Sequence, residues 1–518
     1  MARLSVASAA DASGSARGPM WTFSAAFETF LRPMDESELA RQDDRARDPA
    51  GVVLACAALV VGLVRFFRLG TWSLWIDEAL TLADARHGLE GILNPVGYVA
   101  IDRVAELVGG PDEFGLRFLP ALVGWACIPL TYWAFRPFVG ARRAGLAALL
   151  VALSPWHLYW SQTARFYTMA QAVSLVGAGL YLRGLAGGVT RMVLAGGVVV
   201  ALAAGLQVPA ALLLGAMVAA PWCLRAFRLS VGARGERGAA ILLAVALIGA
   251  IAAGSWLFDV WTTYLGNKDI DGSAAAQARS IAHLVLTTGF YVTPVLGSAF
   301  VVGGVLALRG REPMPALLVL VVLIAVLGAI VASLFVRVTA QYLFVLLPWI
   351  AVVATWPLSY GQGRGVRGLH VAYLLLLVLP TAAGTGLYFF VRGGERARWR
   401  DAYYYVMEQR AETDVVVAMA APIGEYYLAP GRTDLRHPRE VAWLDKHRPN
   451  TAEQWARSGR RVWIIVKPEN LEDWQVADRE NFRRFAREEC RLMKRFPVDV
   501  EGRKLDIEVY LCEGLEGL

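Results

Sequence analysis

Asp77 and Glu78 are neighbouring carboxylates placed directly after the first long apolar run, with Trp72 and Trp75 just ahead of them. Tryptophan at such a junction marks a membrane surface. A carboxylate held there can take the proton of an attacking hydroxyl. Arg65, Arg68, Arg165 and Arg337 border apolar runs on the same side, where the charge pattern described below otherwise excludes Arg. A guanidinium makes planar paired bonds to phosphate, so several converging on one cavity suit a phosphate-bearing ligand. A base and a phosphate clamp together suffice to move a group from a phosphate leaving group to a hydroxyl. A glycosidase, by contrast, commonly needs two carboxylates. Structural readings stand beside these. Asp77 could N-cap a surface helix beginning at Glu78, and Arg165 and Arg337 could be snorkelling anchors.

These residues need a membrane scaffold, and composition supplies one. A chain of 518 residues that is 56% hydrophobic and only 18% charged is too apolar for a soluble multidomain protein. Spans of roughly 20 residues suit an apolar layer about 30 Å thick. The sequence predicts about eleven, near 51–67, 116–138, 143–160, 166–183, 192–205, 208–224, 239–257, 290–308, 314–335, 340–358 and 368–391. Arg142 and Arg143, Arg183 and Arg191, Arg225 to Arg237, Arg309 and Arg311, and Arg364 and Arg367 fall in alternate breaks. The positive-inside rule makes those breaks cytoplasmic. Residues 192 to 224 as one helix would measure about 50 Å, which favours two short helices broken at Gln207 over one helix kinked at Pro209. That break would then lie inside protein or against a watery cavity.

Three regions follow: a cytoplasmic, mostly disordered tail (1–50), a transmembrane domain (51–391) and a small periplasmic α/β domain (392–518). Charges through Asp35 to Asp48 exclude a cleavable signal peptide, and Met20 to Leu31 could form a surface helix. The outward loops are 68–115, 154–166, 258–289 and 336–341, and Leu89 to Leu107 is amphipathic enough to lie on the membrane. His157, among Trp156, Tyr159 and Trp160, reads as an interfacial aromatic-belt residue. Glycine and alanine runs at 195–205 and 243–254 read as helix-packing surfaces. In the last region Asp414 to Met419, Val462 to Lys467 and Leu505 to Cys512 read as strands, and Trp399 to Arg410 and Ala477 to Arg495 as helices. Of five cysteines, only Cys490 and Cys512 could pair.

An Asp-Glu pair after the first span, the segment Ser154-Pro-Trp-His-Leu-Tyr-Trp-Ser-Gln-Thr-Ala-Arg-Phe-Tyr167, a Gln341-Tyr342 stretch before Pro348, and Trp399-Arg400 after the last span resemble the bacterial GT-C membrane glycosyltransferases. Relatives of protein O-mannosyltransferases and of the lipid A aminoarabinose transferase are the nearest in kind. The resemblance implies a polytopic α-helical GT-C fold with a small outer α/β domain. It also implies sugar transfer from a polyprenyl-phosphate donor to a lipid, glycan or protein acceptor at the outer face of the inner membrane. Asp77 and Glu78 would be catalytic, and Arg65, Arg68, Arg165, Tyr167, Gln207, Arg337, Gln341, Tyr342, Trp399 and Arg400 would bind substrate. The chain departs from many relatives at Thr163, where they carry an acid, and at Gln207, where they carry His. No metal set is therefore expected, and no other cofactor and no nucleic acid. The alternative is a transporter or flippase of an anionic lipid, which would use the same Arg-lined cavity but commonly shows internal repeats.

Overall fold

The computed structural model describes residues 48–87, 95–252, 254, 255, 258, 259, 262, 273–359, 364–500 and 503–514, with side chains placed from residue 368 in the last long helix. The expected tail, Leu89 to Asn94 and most of 253–272 lie outside the described residues. Helices Pro49–Gly62, Glu113–Val139, Ala141–Leu153, Tyr167–Ala186, Thr190–Leu206, Ala211–Cys223, Ala233–Ala252, Pro294–Arg309, Pro313–Ala332, Leu347–Ala354 and Arg364–Phe390 overlie the expected spans. Among the described residues seven helical segments are long and apolar enough to cross a membrane singly, or up to eight with one bent pair. This is a multi-pass membrane protein.

Two expected boundaries are corrected. The span expected at 143–160 ends at Leu153, because the Ser154 hydroxyl caps a new helix, Pro155–Ser161, by accepting the His157 N–H at 3.3 Å. Much of the expected loop 258–289 is helical instead. Ala274–Val292 meets Pro294–Arg309 at a 94° bend, where Thr293 takes a φ of 69° and caps the second helix. The break at Gln207 is as expected: Thr190–Leu206 stops, Gln207 is extended, and a 3-10 turn leads into Ala211–Cys223.

After the last span the chain forms strands β1 (Val415–Ala418), β2 (Val441–Trp443), β3 (Val462–Val466), β4 (Cys490–Phe496), β5 (Asp499–Val500), β6 (Arg503–Lys504) and β7 (Ile507–Cys512). The main sheet runs β2-β1-β3-β7-β4, parallel across β2, β1 and β3 and antiparallel at β7 and β4. Every residue of β3 is buried, which suits its wholly apolar Val-Trp-Ile-Ile-Val sequence. The helix expected over 477–495 instead ends at Glu488, and Cys490 opens an edge strand. Pairing with β7 overrides the helical preference of Arg-Leu-Met-Lys-Arg, and it sets Cys490 opposite Cys512, to which it is disulfide-bonded.

The core of this sheet does not close on itself. Leu74, Ala79, Leu82, Ala83, Tyr98 and Ile101, between the first two spans, belong to the same buried apolar cluster as Val417, Ile464 and Val509. Polar ties reinforce the join. The Tyr427 hydroxyl accepts the Leu74 N–H at 3.1 Å and donates to Glu113 at 2.9 Å. Arg436 meets Asp84, and Arg400 pairs with Glu113 at 3.2 Å.

Candidate active site

The loop helix Ile76–His87 carries both acids in its first turn, where the helix dipole favours negative charge. Asp77 does not cap a helix starting at Glu78. The helix begins at Ile76, and Glu78 reaches back to accept the Trp75 N–H at 3.2 Å. Glu78 is fully buried and forms a two-pronged ion pair with Arg117, with both contacts at 2.8 Å. It also accepts the Ala164 N–H at 2.8 Å. Burial pushes the Glu78 carboxyl up, but Arg117, Arg396 and the Ala164 N–H together hold it below the usual carboxylate range. Each Glu78 oxygen thus has two donors. Through these contacts Glu78, expected to be catalytic, pins the loop to Glu113–Val139 and to residue 164. Arg117, which sequence reasoning did not single out, also binds the carbonyls of Leu69, Trp72 and Ser73.

Asp77 is half-buried, and among the described residues its carboxylate makes no hydrogen bond or ion pair. Arg165 donates to the Asp77 carbonyl at 3.4 Å, and the Asp77 charge helps to hold that guanidinium charged against the effect of burial. Arg165 donates to Thr81 Oγ1 at 3.2 Å and to the Tyr98 hydroxyl at 3.3 Å, and its Nε is buried without a partner. Gly97 makes this possible. A β-carbon there would meet Phe166 at 2.9 Å, so only glycine lets Pro95–Val108 approach closely enough to bring Tyr98 to Arg165.

Beside the loop lies a cavity of about 350 Å³ between the span ends and the C-terminal sheet, lined by Trp75, Ile76, Trp160, Gln341, Trp399 and others. The indole N–H groups of Trp75 and Trp160 are buried and unpartnered. Trp160 also packs on Tyr167 with ring centroids 3.9 Å apart, which links the cavity to the layer holding Arg165. The strap residues Glu395 and Arg396 form one side. Gly394, at a φ of 67°, lies so close to Trp72 that a β-carbon would meet the ring at 2.6 Å. This fixes Arg396 against Thr163 Oγ1 and the Gln162 carbonyl, with its guanidinium 4.1 Å from the Tyr159 ring centroid. At position 163 a hydroxyl rather than a carboxylate therefore faces that guanidinium. Arg396, Lys467 and Arg503 were missed from sequence; the glycine pair Gly393-Gly394 was the local signal for the first, and the other two carry none.

The remaining expected residues divide. Trp399 and Gln341 line this cavity. Gln207 is buried, donates to the Gln341 carbonyl at 3.4 Å and leaves Oε1 unpartnered. Tyr342 is buried. Arg68 and Arg400 line a second cavity of about 520 Å³ on the other side of Arg396, where Arg68 also stacks on Trp72. Arg337 is a half-exposed rim residue 3.6 Å from Asp473. Arg65, expected to bind substrate, has both its terminal nitrogens bonded within the protein, to the Gly62, Val151 and Ala152 carbonyls and to His157 Nδ1. His157 is no belt residue. It is wholly buried, accepts from Arg65 at 2.9 Å and meets Gln171 Oε1 through Nε2 at 2.7 Å, so the proton sits on Nε2. Among the described residues no group of three or more His, Cys, Asp or Glu side chains could hold a metal ion.

No protein-family profile and no curated sequence matches the chain. Solved structures do match in shape. The structure of ArnT from Cupriavidus metallidurans in the apo state aligns with a TM-score of 0.50 at 16% identity, covering 89% of this chain and 97% of that one. The archaeal oligosaccharyltransferase AglB from Archaeoglobus fulgidus, in complex with an inhibitory peptide and a dolichol-phosphate, gives a TM-score of 0.55 at 11% identity over 88% of this chain and 74% of that one. An apo form of the Archaeoglobus fulgidus oligosaccharyltransferase gives 0.51 at 12% identity over 81% and 70%. The chain therefore has the GT-C membrane fold that its sequence resembles.

Proposed function

We propose that this protein is a membrane glycosyltransferase that moves a sugar from a polyprenyl-phosphate donor to an acceptor hydroxyl at the periplasmic face of the inner membrane. The observation that carries this reading is the uncommitted Asp77 carboxylate beside Arg165, next to a cavity of aromatic faces and cations in a GT-C fold. Asp77 accepts the proton of the acceptor hydroxyl as its oxygen bonds to the anomeric carbon. The bond from that carbon to the phosphate oxygen breaks on the opposite face, inverting the centre, and the electron pair leaves on polyprenyl phosphate. Phosphate is a weak base, so no general acid is needed, and Arg396 on the membrane side of the cavity stabilises the charge it gains. Nucleotide sugars are absent from that face, which is why the donor is a lipid.

Transfer of label from a supplied polyprenyl-phosphate sugar into lipid, glycan or protein, by membranes containing the chain and not by membranes lacking it, tests the reading. Lipid translocation without transfer would overturn it in favour of a flippase. Orientation has its own measurement. Reporter fusions after Arg143, Arg237 and Arg311 should report cytoplasm and a fusion after Asn450 the periplasm, and the reverse for Asn450 would put the cavity on the wrong face.

Arg165→Ala should weaken donor binding or turnover by about 2 kcal/mol or more without loss of expression, with Lys restoring only part. A donor titration equal to wild type would make Arg165 a membrane anchor.

A further inference from the structure

The cavity beside Asp77 has two cationic sides that differ in origin. Arg396 is held against the membrane domain through Gln162 and Thr163, while Lys467 and Arg503 belong to the C-terminal domain. Lys467 directly follows β3, and Arg503 opens β6. We propose that Lys467 and Arg503 form a second anion subsite, which takes a carboxylate or phosphate carried by the transferred sugar or by the acceptor, separate from the phosphate that tethers the donor. The inference rests on the transferase reading.

Placement is the first argument. A polyprenyl donor enters from the bilayer with its chain among the spans, so its phosphate meets the membrane-side cation, and whatever the phosphate carries extends toward the C-terminal domain. Charge is the second. Glu469 lies 2.6 Å from Lys467 Nζ and also contacts Arg503, one carboxylate serving two cations. Glu395, which lines the same cavity, is engaged by Arg392 at 3.3 Å. Arg396, Lys467 and Arg503 set against Glu469 leave an excess of two positive charges around the cavity. A sugar joined to a polyprenol through one phosphate is a diester with a single negative charge. One cation is then left without a counterpart.

Burial sharpens the point. The Lys467 side chain is only 14% exposed, and burial pulls its ammonium below the ordinary lysine range even though Glu469 opposes the shift. An arriving anion would oppose that shift, as Glu469 does. Asn470 lines the cavity beside Lys467 and can add an amide donor. One carboxylate shared by two cations leaves part of their charge unmatched, so a site built this way favours acidic over neutral ligands of the same size.

The test uses the full-length protein in detergent at about pH 5, where undecaprenyl phosphate, like the diester donor, carries close to one negative charge; it is saturated with that lipid and titrated calorimetrically with glucuronate, glucose 6-phosphate and glucose. Wild type should bind the two acids at least tenfold more tightly than glucose. Lys467→Gln with Arg503→Gln should remove that preference while leaving the undecaprenyl phosphate affinity within about twofold, and Arg396→Gln should weaken undecaprenyl phosphate instead. No preference for acids in the wild type would overturn the proposal. So would an equal loss of undecaprenyl phosphate affinity in the Lys467 and Arg503 variant, which would make these residues part of the donor clamp. Acid binding in a protein that transfers no sugar would sink the transferase reading and leave the subsite standing. In transfer assays, a rise in donor KM in the double variant assigns the acid to the sugar, and a rise in acceptor KM assigns it to the acceptor.

Discussion

Asp77→Asn should fold, bind lipid donor and lose sugar transfer by roughly two or more orders of magnitude, which corresponds to about 3 kcal/mol of barrier. The substitution keeps the shape of the side chain and removes its basicity. Stability should hold because Glu78 rather than Asp77 pins the loop helix, and Arg165, though it loses a neighbouring charge, keeps its bonds to Thr81 and Tyr98. Glu78 performs the reach-back to Trp75, and no described group bonds the Asp77 carboxylate. The measurement is transfer in membranes from a supplied polyprenyl-phosphate sugar, beside thermal unfolding of the purified variant. Near-normal transfer would remove the mechanism. A collapse of stability would instead return Asp77 to a structural role.

Glu78→Gln should do the opposite. Arg117 would stay buried with its charge uncompensated, and removing one partner of a buried ion pair commonly costs about 3–5 kcal/mol. Lost activity should follow the lost folded fraction. Replacing Glu78 and Arg117 together by Met should be milder than either single change, since the isolated buried charge disappears. A Glu78→Gln protein that unfolds at the wild-type temperature yet transfers no sugar would reassign catalysis to Glu78. The pair also sets an acid limit. The folded-state carboxyl sits below its ordinary value. Its contribution is therefore complete above the unfolded value of about 4.3 and fades as pH falls through the lower folded one.

Much of this architecture is legible in local pattern. Apolar runs broken by Arg mark the helices, and wholly apolar Val462 to Val466 announces a central strand. The Asp-Glu pair is visible because charge beside a membrane surface is unusual. What separates Asp77 from Glu78 is not local, since the partner of Glu78 lies at position 117 and nothing near either acid reveals it. Arg65 looked available for the same reason: the carbonyls it binds belong to residues 151 and 152. Cys490 was read as helical because its neighbours are good helix formers, and only the open edge of β7 makes that stretch extended. Lys467 and Arg503 gain meaning from a cavity assembled by segments more than a hundred residues apart in the chain.

The shared apolar cluster joining Leu74, Ala79 and Leu82 to Val417, Ile464 and Val509 has a consequence for biogenesis. The loop bearing Asp77 leaves the ribosome early, yet the surface it must bury against is made of strands reaching to Cys512. Synthesis at roughly 5–20 residues per second puts a delay on the order of tens of seconds between the two. Throughout that interval the spans can insert while the loop helix waits without its partner. The proposed activity would therefore switch on once, late, when the final strand docks, and a ribosome stalled beyond the last span would leave an inserted but inert bundle of helices in the membrane.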